Sequence, residues 1–348
     1  MPQQNITTET KERKISADLI RVIAATAIII MHVTSLVYYK LDLIGYKWWL
    51  VTNGLNWILK WGTPVFVMIS GYFLLNSDNS NNPKTFYKRR LSKILVPYVF
   101  WCLIYYIINK GVGSLATPKD FFDQLWHSGT EYHLYFINVM FGLYLVTPLI
   151  KRLILNKNLN VIVPILFLGS ALYLVLYSFF GFPQVSNIFN WFLPYLGYYL
   201  AGYWIGKKSP PKHPLRLIAI SSLLLIIGVL ITRKTFFLYT SQEMVLVLVK
   251  HFSIPVIIAA NFLFYVAINL SNHRLSLFKK IARLSELSLG VYLIHPIWLL
   301  MFKNTKFFST AFSTNYSLWL FGLIFLCVFF SFLSIYLIKK IPILNKLV

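Results

Sequence analysis

The run ADLIRVIAATAIIIMHVTSLVYY, from Ala17 to Tyr39, decides the fold class. It is long enough for a helix to cross a bilayer, which takes about 20 mostly apolar residues. Yet it carries Asp18, Arg21 and His32. Those groups, its length and the lack of a small-residue cleavage site after it read as a spanning helix rather than a cleavable signal peptide. Ionisable groups inside a span are costly and mark function by default. Eleven residues separate Arg21 from His32. At about 100° per residue this falls within about 20° of three whole turns, so both point the same way, about 16 Å apart along the axis. Asp18 lies one turn before Arg21 and is placed to pair with it. The stripe holds a cation near one membrane surface and an imidazole deep in the bilayer. A salt bridge beside a packing histidine is the plainer reading of the same residues.

The whole composition agrees with a bilayer as solvent. Of 348 residues, 57% are hydrophobic and 12% are charged, against about 45–50% and about 25% in soluble domains. Mean hydropathy is +0.65. A soluble domain of this length could not hide that much apolar surface. This excludes a disordered chain, a collagen, a disulfide scaffold and an ordinary cytosolic enzyme. The two cysteines, Cys102 and Cys327, sit inside apolar runs and read as small buried hydrophobes. They offer no metal-ligand spacing, no disulfide framework and no nucleophile.

Ten segments read as spans: 17–39, 55–75, 94–109, 134–150, 160–180, 190–206, 215–232, 244–270, 284–303 and 317–338. The expected fold is all-α and polytopic, with about ten transmembrane helices. Residues 1–16 read as a cytoplasmic N-terminal tail, 17–338 as one transmembrane domain and 339–348 as a cytoplasmic C-terminal tail. The net charge of +23 raises the question of nucleic acid, and the placement of the charges answers it. Every second loop is basic. One set of loops carries 22 of the 33 Lys and Arg, the other set at most 10, and Arg21 lies within the first span. Lys and Arg collect on the cytoplasmic side, so both termini are expected there and no nucleic-acid partner is implied. The longest outside loop, 110–133, includes Trp126, His127, Glu131 and His133.

The ionisable residues within spans are Asp18, Arg21, His32, Lys60, Lys250, His251, Glu286 and His295. Lys60 and Lys250 lie near outer helix ends, from which their ammonium groups are expected to snorkel to water. His251 reads as an interhelical hydrogen bond. In the ninth span, Ser288, Tyr292 and His295 follow at spacings of four and three, so they share a face, and Pro296 opens the helical ladder beside them. His32 and His295 lie at similar distances into two helices that run in the same direction. A polar cavity near the midplane is the expected result. The run Lys88-Arg89-Arg90-Leu91-Ser92-Lys93 leads into Ile94 and Pro97. It reads either as an orienting anchor or as a phosphate site at a helix start, where the helix dipole adds to the field.

Taken together, these segments resemble the acyltransferase-3 family of integral-membrane acyltransferases. The match begins with Arg21, ten residues and His32. It continues with Phe66-Val67-Met68-Ile69-Ser70-Gly71-Tyr72, then with Arg90-Leu91-Ser92-Lys93 ahead of Pro97-Tyr98. Lys93 replaces the family's second arginine, so a bidentate clamp is lost at that position. Further matches are His133-Leu134-Tyr135-Phe136, Gly142 to Pro148, Trp191 to Gly202, and Leu284 to Pro296.

The resemblance implies transfer of an acyl group, usually acetyl, from cytoplasmic acetyl-CoA to a hydroxyl of a cell-envelope glycan or lipid-linked sugar, in a bacterial cell membrane. It implies a catalytic centre at His32 with Arg21. Arg21, Arg89, Arg90 and Lys93 would hold the coenzyme, and His295, Tyr292, Ser288 and Asp18 the acceptor. A thioester is already activated, so no metal is required. The imidazole could act as general base or carry the acetyl group itself. Two other functions fit a ten-span chain with a polar midplane: an exporter or flippase of a surface polysaccharide or its lipid-linked precursor, and a structural subunit of an envelope synthase.

Overall fold

The computed structural model describes residues 4–38, 40–77, 83–110, 118–127, 130–155, 157–180, 192–238, 251–271 and 278–348. Among them there are helices and no strands. With no water in the hydrocarbon, each backbone amide must be satisfied within its own helix or by a neighbour, which leaves helices as the economical form. The long helices are α1 (Gln4–Ser35), α2 (Leu41–Ile58), α3 (Gly62–Leu75), α4 (Pro83–Lys110), α5 (Pro118–His127) and α6 (Tyr135–Ile154). They continue as α7 (Leu159–Phe180), α8 (Leu196–Gly206), α9 (Pro214–Leu238) and α10 (Ile254–Ile268). A short α11 (Lys279–Arg283) and a 3₁₀ turn (Leu284–Leu287) lead into α12 (Ser288–Lys303), followed by α13 (Lys306–Thr314) and α14 (Tyr316–Ile338).

Among the described residues, seven helical stretches are long and apolar enough to cross a membrane: Ile15–Ser35, Leu41–Leu75, Pro83–Asn109, Tyr132–Ile154, Pro214–Ile231, Lys279–Lys303 and Tyr316–Ile338. Each of the ten expected segments contains a helix, but the described apolar parts of three are shorter: Leu159–Tyr173, Leu196–Gly206 and Ile254–Ile268. In the segment 190–206 the cause is Pro194, which opens a 3₁₀ turn, so the α-helix begins only at Leu196. Residues 244–250, including Lys250, lie outside the described residues. The stretch Leu41–Leu75 is longer than a single crossing requires. It breaks at residues 59–61, where Lys60 N–H donates to the Trp57 carbonyl and Gly62 N–H to that of Leu59.

Helix α1 packs against α2, α3, α10, α11, α12 and α14. This central position puts the Arg21–His32 stripe inside protein. Two glycines set a close crossing of α3 on α8. A Cβ at Gly71 on α3 would run into the Tyr199 carbonyl on α8, and a Cβ at Gly202 on α8 into the Met68 carbonyl on α3. Such close approach of small residues is how helices associate where lipid and side chains are equally apolar. The outer surface is correspondingly apolar. Phe321, Phe325 and Phe329, one turn apart on α14, are about half exposed, as expected of a lipid-facing stripe. Both cysteines are free and fully buried. The segment after α14 folds back, with Trp101 Nε1 donating to the Leu347 carbonyl at 2.9 Å.

Candidate active site

The basic end is built on α1. Arg21 donates from Nη1 to Asp18 Oδ1 at 3.2 Å, one turn back, and its guanidinium lies 5.6 Å from the Phe73 ring. It lines a cavity of about 440 Å³ with Arg90, Lys93, Ser70, Glu286, Ser288 and Tyr292. That volume is within the usual range for small-molecule sites, about 300–1,000 Å³. Asp18 and Arg89 are not among the lining residues; Asp18 serves as partner to Arg21, and Arg89 is exposed. The cluster 88–93 does not sit at a helix start. Helix α4 begins at Pro83, so Arg90 lies about two turns in, beyond the first turn where the dipole acts. Its field comes from the side-chain charges.

The roof of the cavity is aromatic. Phe136 and Tyr292 line it, with ring centroids 5.4 Å apart, and Phe66 meets Phe136 edge-on at 6.2 Å. The Tyr292 hydroxyl donates to the His133 carbonyl.

Above Tyr292 on the same helix stands His295. Its Nδ1 faces the Tyr292 carbonyl at 2.7 Å, and its Nε2 lies 2.6 Å from Nδ1 of His32. The two rings meet edge to edge in nearly one plane, with centroids 4.9 Å apart and planes at 16°. The matched depths of these histidines are therefore realised as direct contact. His295 is fully buried; His32 keeps part of its surface open. Beside His32 stands Tyr132, edge-on at 5.2 Å and about half exposed.

Neighbours from other elements surround the pair. His133, read as part of an outside loop, is fully buried at the head of α6, 5.4 Å from the His295 ring and 5.0 Å from that of Tyr105. The Tyr105 hydroxyl bonds the Leu293 carbonyl at 2.7 Å. Asn56 ties α2 to α1 at the level of His32, donating to the Met31 carbonyl at 2.9 Å and to the hydroxyls of Thr34 and Ser35 at 3.0 Å each. Lys60 does not snorkel to water: only 9% of it is exposed. It follows Asn56 by one turn, and the chain just after it packs on α1, where Gly62 meets Ala24, Ala27 and Ile28. His251 is satisfied by a hydrogen bond, but between turns rather than helices: from the turn before α10 its Nδ1 lies 3.1 Å from the carbonyl of Lys60, at the break between α2 and α3.

A family model described as an acyltransferase domain matches residues 14–342. The chain belongs to the acyltransferase-3 family. The match spans nearly the whole chain and includes every residue of the two ends just described. No curated protein and no solved structure matches the chain. As a member of this family it is a multi-pass membrane acyltransferase, and the His32–His295 contact with the basic cavity below it is its candidate active site.

Proposed function

We propose that this acyltransferase takes an acyl group, acetyl in the expected case, from coenzyme A at the basic cavity. It passes the group to a hydroxyl of an envelope glycan or lipid-linked sugar arriving from the Tyr132 side. One observation carries the reading. Arg21 lines a cavity with two further cations, Arg90 and Lys93, and three turns along the same stripe His32 meets His295 at 2.6 Å. Phosphates need cationic partners, and the basic end supplies three. The thioester then has to pass Tyr292 and Phe136 to reach His32. An exporter has no comparable need for a basic cavity ending below an imidazole pair.

In the reaction, the acceptor oxygen attacks the thioester carbonyl carbon while an imidazole nitrogen of His32 takes the hydroxyl proton. The carbon–sulfur bond breaks, and the same proton returns to the leaving thiolate. If the imidazole attacks first, the same lone pair carries the acyl group. Mass spectrometry of envelope glycans from cells with and without the gene tests the proposal. An acetyl increment that disappears with the gene is expected; identical glycans would contradict it.

A further inference from the structure

The Tyr292 carbonyl can only accept a hydrogen bond, so Nδ1 of His295, 2.7 Å away, must carry a proton. A neutral imidazole protonated at Nδ1 keeps a lone pair on Nε2. That lone pair faces Nδ1 of His32 at 2.6 Å, so the His32 proton sits on Nδ1. Its Nε2, which has no hydrogen-bond partner among the described residues, is left as the free lone pair. The chain of constraints runs in one direction, from a backbone carbonyl through His295 to His32. Which nitrogen of a histidine is basic is set by the hydrogen bond the other one makes.

We propose that His295 is a positioning residue that holds His32 in its Nδ1-protonated tautomer, so that Nε2 takes the acceptor proton or the acyl group. This rests on the acyl-transfer reading above and gives His295 a role distinct from lining the acceptor cavity. The geometry supports it: His295 is sealed from solvent and is absent from the cavity lining, which ends at Tyr292.

Two measurements test it. The first is solid-state NMR of the full chain, labelled with ¹⁵N-histidine, in lipid nanodiscs. It should find His32 protonated at Nδ1 and correlated through a hydrogen bond with His295 Nε2. A His32 proton on Nε2 in the wild type would overturn the proposal. The second is acetyl-CoA turnover in native membranes, followed as released thiol, for His295→Phe and His295→Gln. Phe keeps the bulk without an acceptor; Gln restores an acceptor oxygen. The Phe variant should lose about 10²-fold or more in kcat, in the range of general-base catalysis, with KM for acetyl-CoA unchanged. The Gln variant should recover most of that loss. Equal losses in both variants, or a loss confined to KM, would also overturn it. A wild type that turns over no acetyl-CoA would sink the acyl-transfer reading, while the NMR result would still decide the tautomer.

Discussion

His32 and His295, 263 residues apart in the chain, meet nitrogen to nitrogen at 2.6 Å. The contact joins the first helix of the bundle to α12, and both helices also supply the cavity below it, through Arg21 from α1 and through Ser288 and Tyr292 from α12. One pair of helices thus contributes to both the cationic end and the imidazole end of the candidate site. A packing histidine would need neither the cavity nor the partly open ring of His32.

Arg90 is the cation to remove first. It lines the cavity, whereas Arg89 on the same turn does not. If it holds phosphate, the contact is charge-assisted and contributes roughly 1.5–3 kcal/mol. Arg90→Ala should therefore raise KM for acetyl-CoA about ten- to a hundredfold, at about 1.4 kcal/mol per decade. Arg89→Ala should leave it nearly unchanged. Kinetics in membranes carrying each variant at matched levels decide this; an unchanged KM in a correctly inserted Arg90→Ala chain would make the run an orienting anchor.

The crossing of α3 and α8 gives a stability prediction independent of catalysis. Gly71→Ala and Gly202→Ala each push a methyl into a backbone carbonyl of the other helix. Overpacking of this kind costs about 1–3 kcal/mol, and a carbonyl cannot rotate away as a side chain does. Gly54→Ala is the control, because nothing lies within 4 Å of its Cβ position. Thermal unfolding in detergent should show both crossing variants destabilised and the control unchanged or slightly improved.

Alternating basic loops predict the orientation. Lys84 should lie in the cytoplasm and Lys306 outside; both are exposed. The native cysteines are buried, so single substitutions to Cys can be read without removing them. A membrane-impermeant thiol reagent added to intact cells should label Lys306→Cys and spare Lys84→Cys. The reverse pattern would invert the chain and place the basic cavity on the outer side.

Much of the candidate site was legible because its residues fall in stripes along two helices. Arg21 and His32 share a helix, and the period of 3.6 residues fixes their relation; the same holds for Ser288, Tyr292 and His295. The roles of His133, Asn56 and Lys60 were not legible, because they depend on how separate helices rotate against each other. His133 sits in a 3₁₀ turn at the head of α6, where no helical stripe announces which way it faces. The misplaced start of α4 had a visible signal. Pro83 stands at the first position of the helix, as do Pro118 and Pro214 in α5 and α9, and proline is favoured there. The apolar run alone drew attention to residue 94, where the hydrocarbon begins rather than the helix.

The most direct test of acyl transfer at His32 is the incorporation of radiolabelled acetyl from acetyl-CoA into envelope material, using membranes with wild-type chain or His32→Ala at equal abundance. Wild-type membranes should incorporate label, and the variant should fall by about 10²-fold or more, since general acid–base catalysis contributes about 10²–10⁴. Undiminished incorporation by a correctly inserted His32→Ala chain would contradict the assignment of the reaction centre. No incorporation by the wild type, together with loss of surface polysaccharide when the gene is removed, would make the chain an exporter.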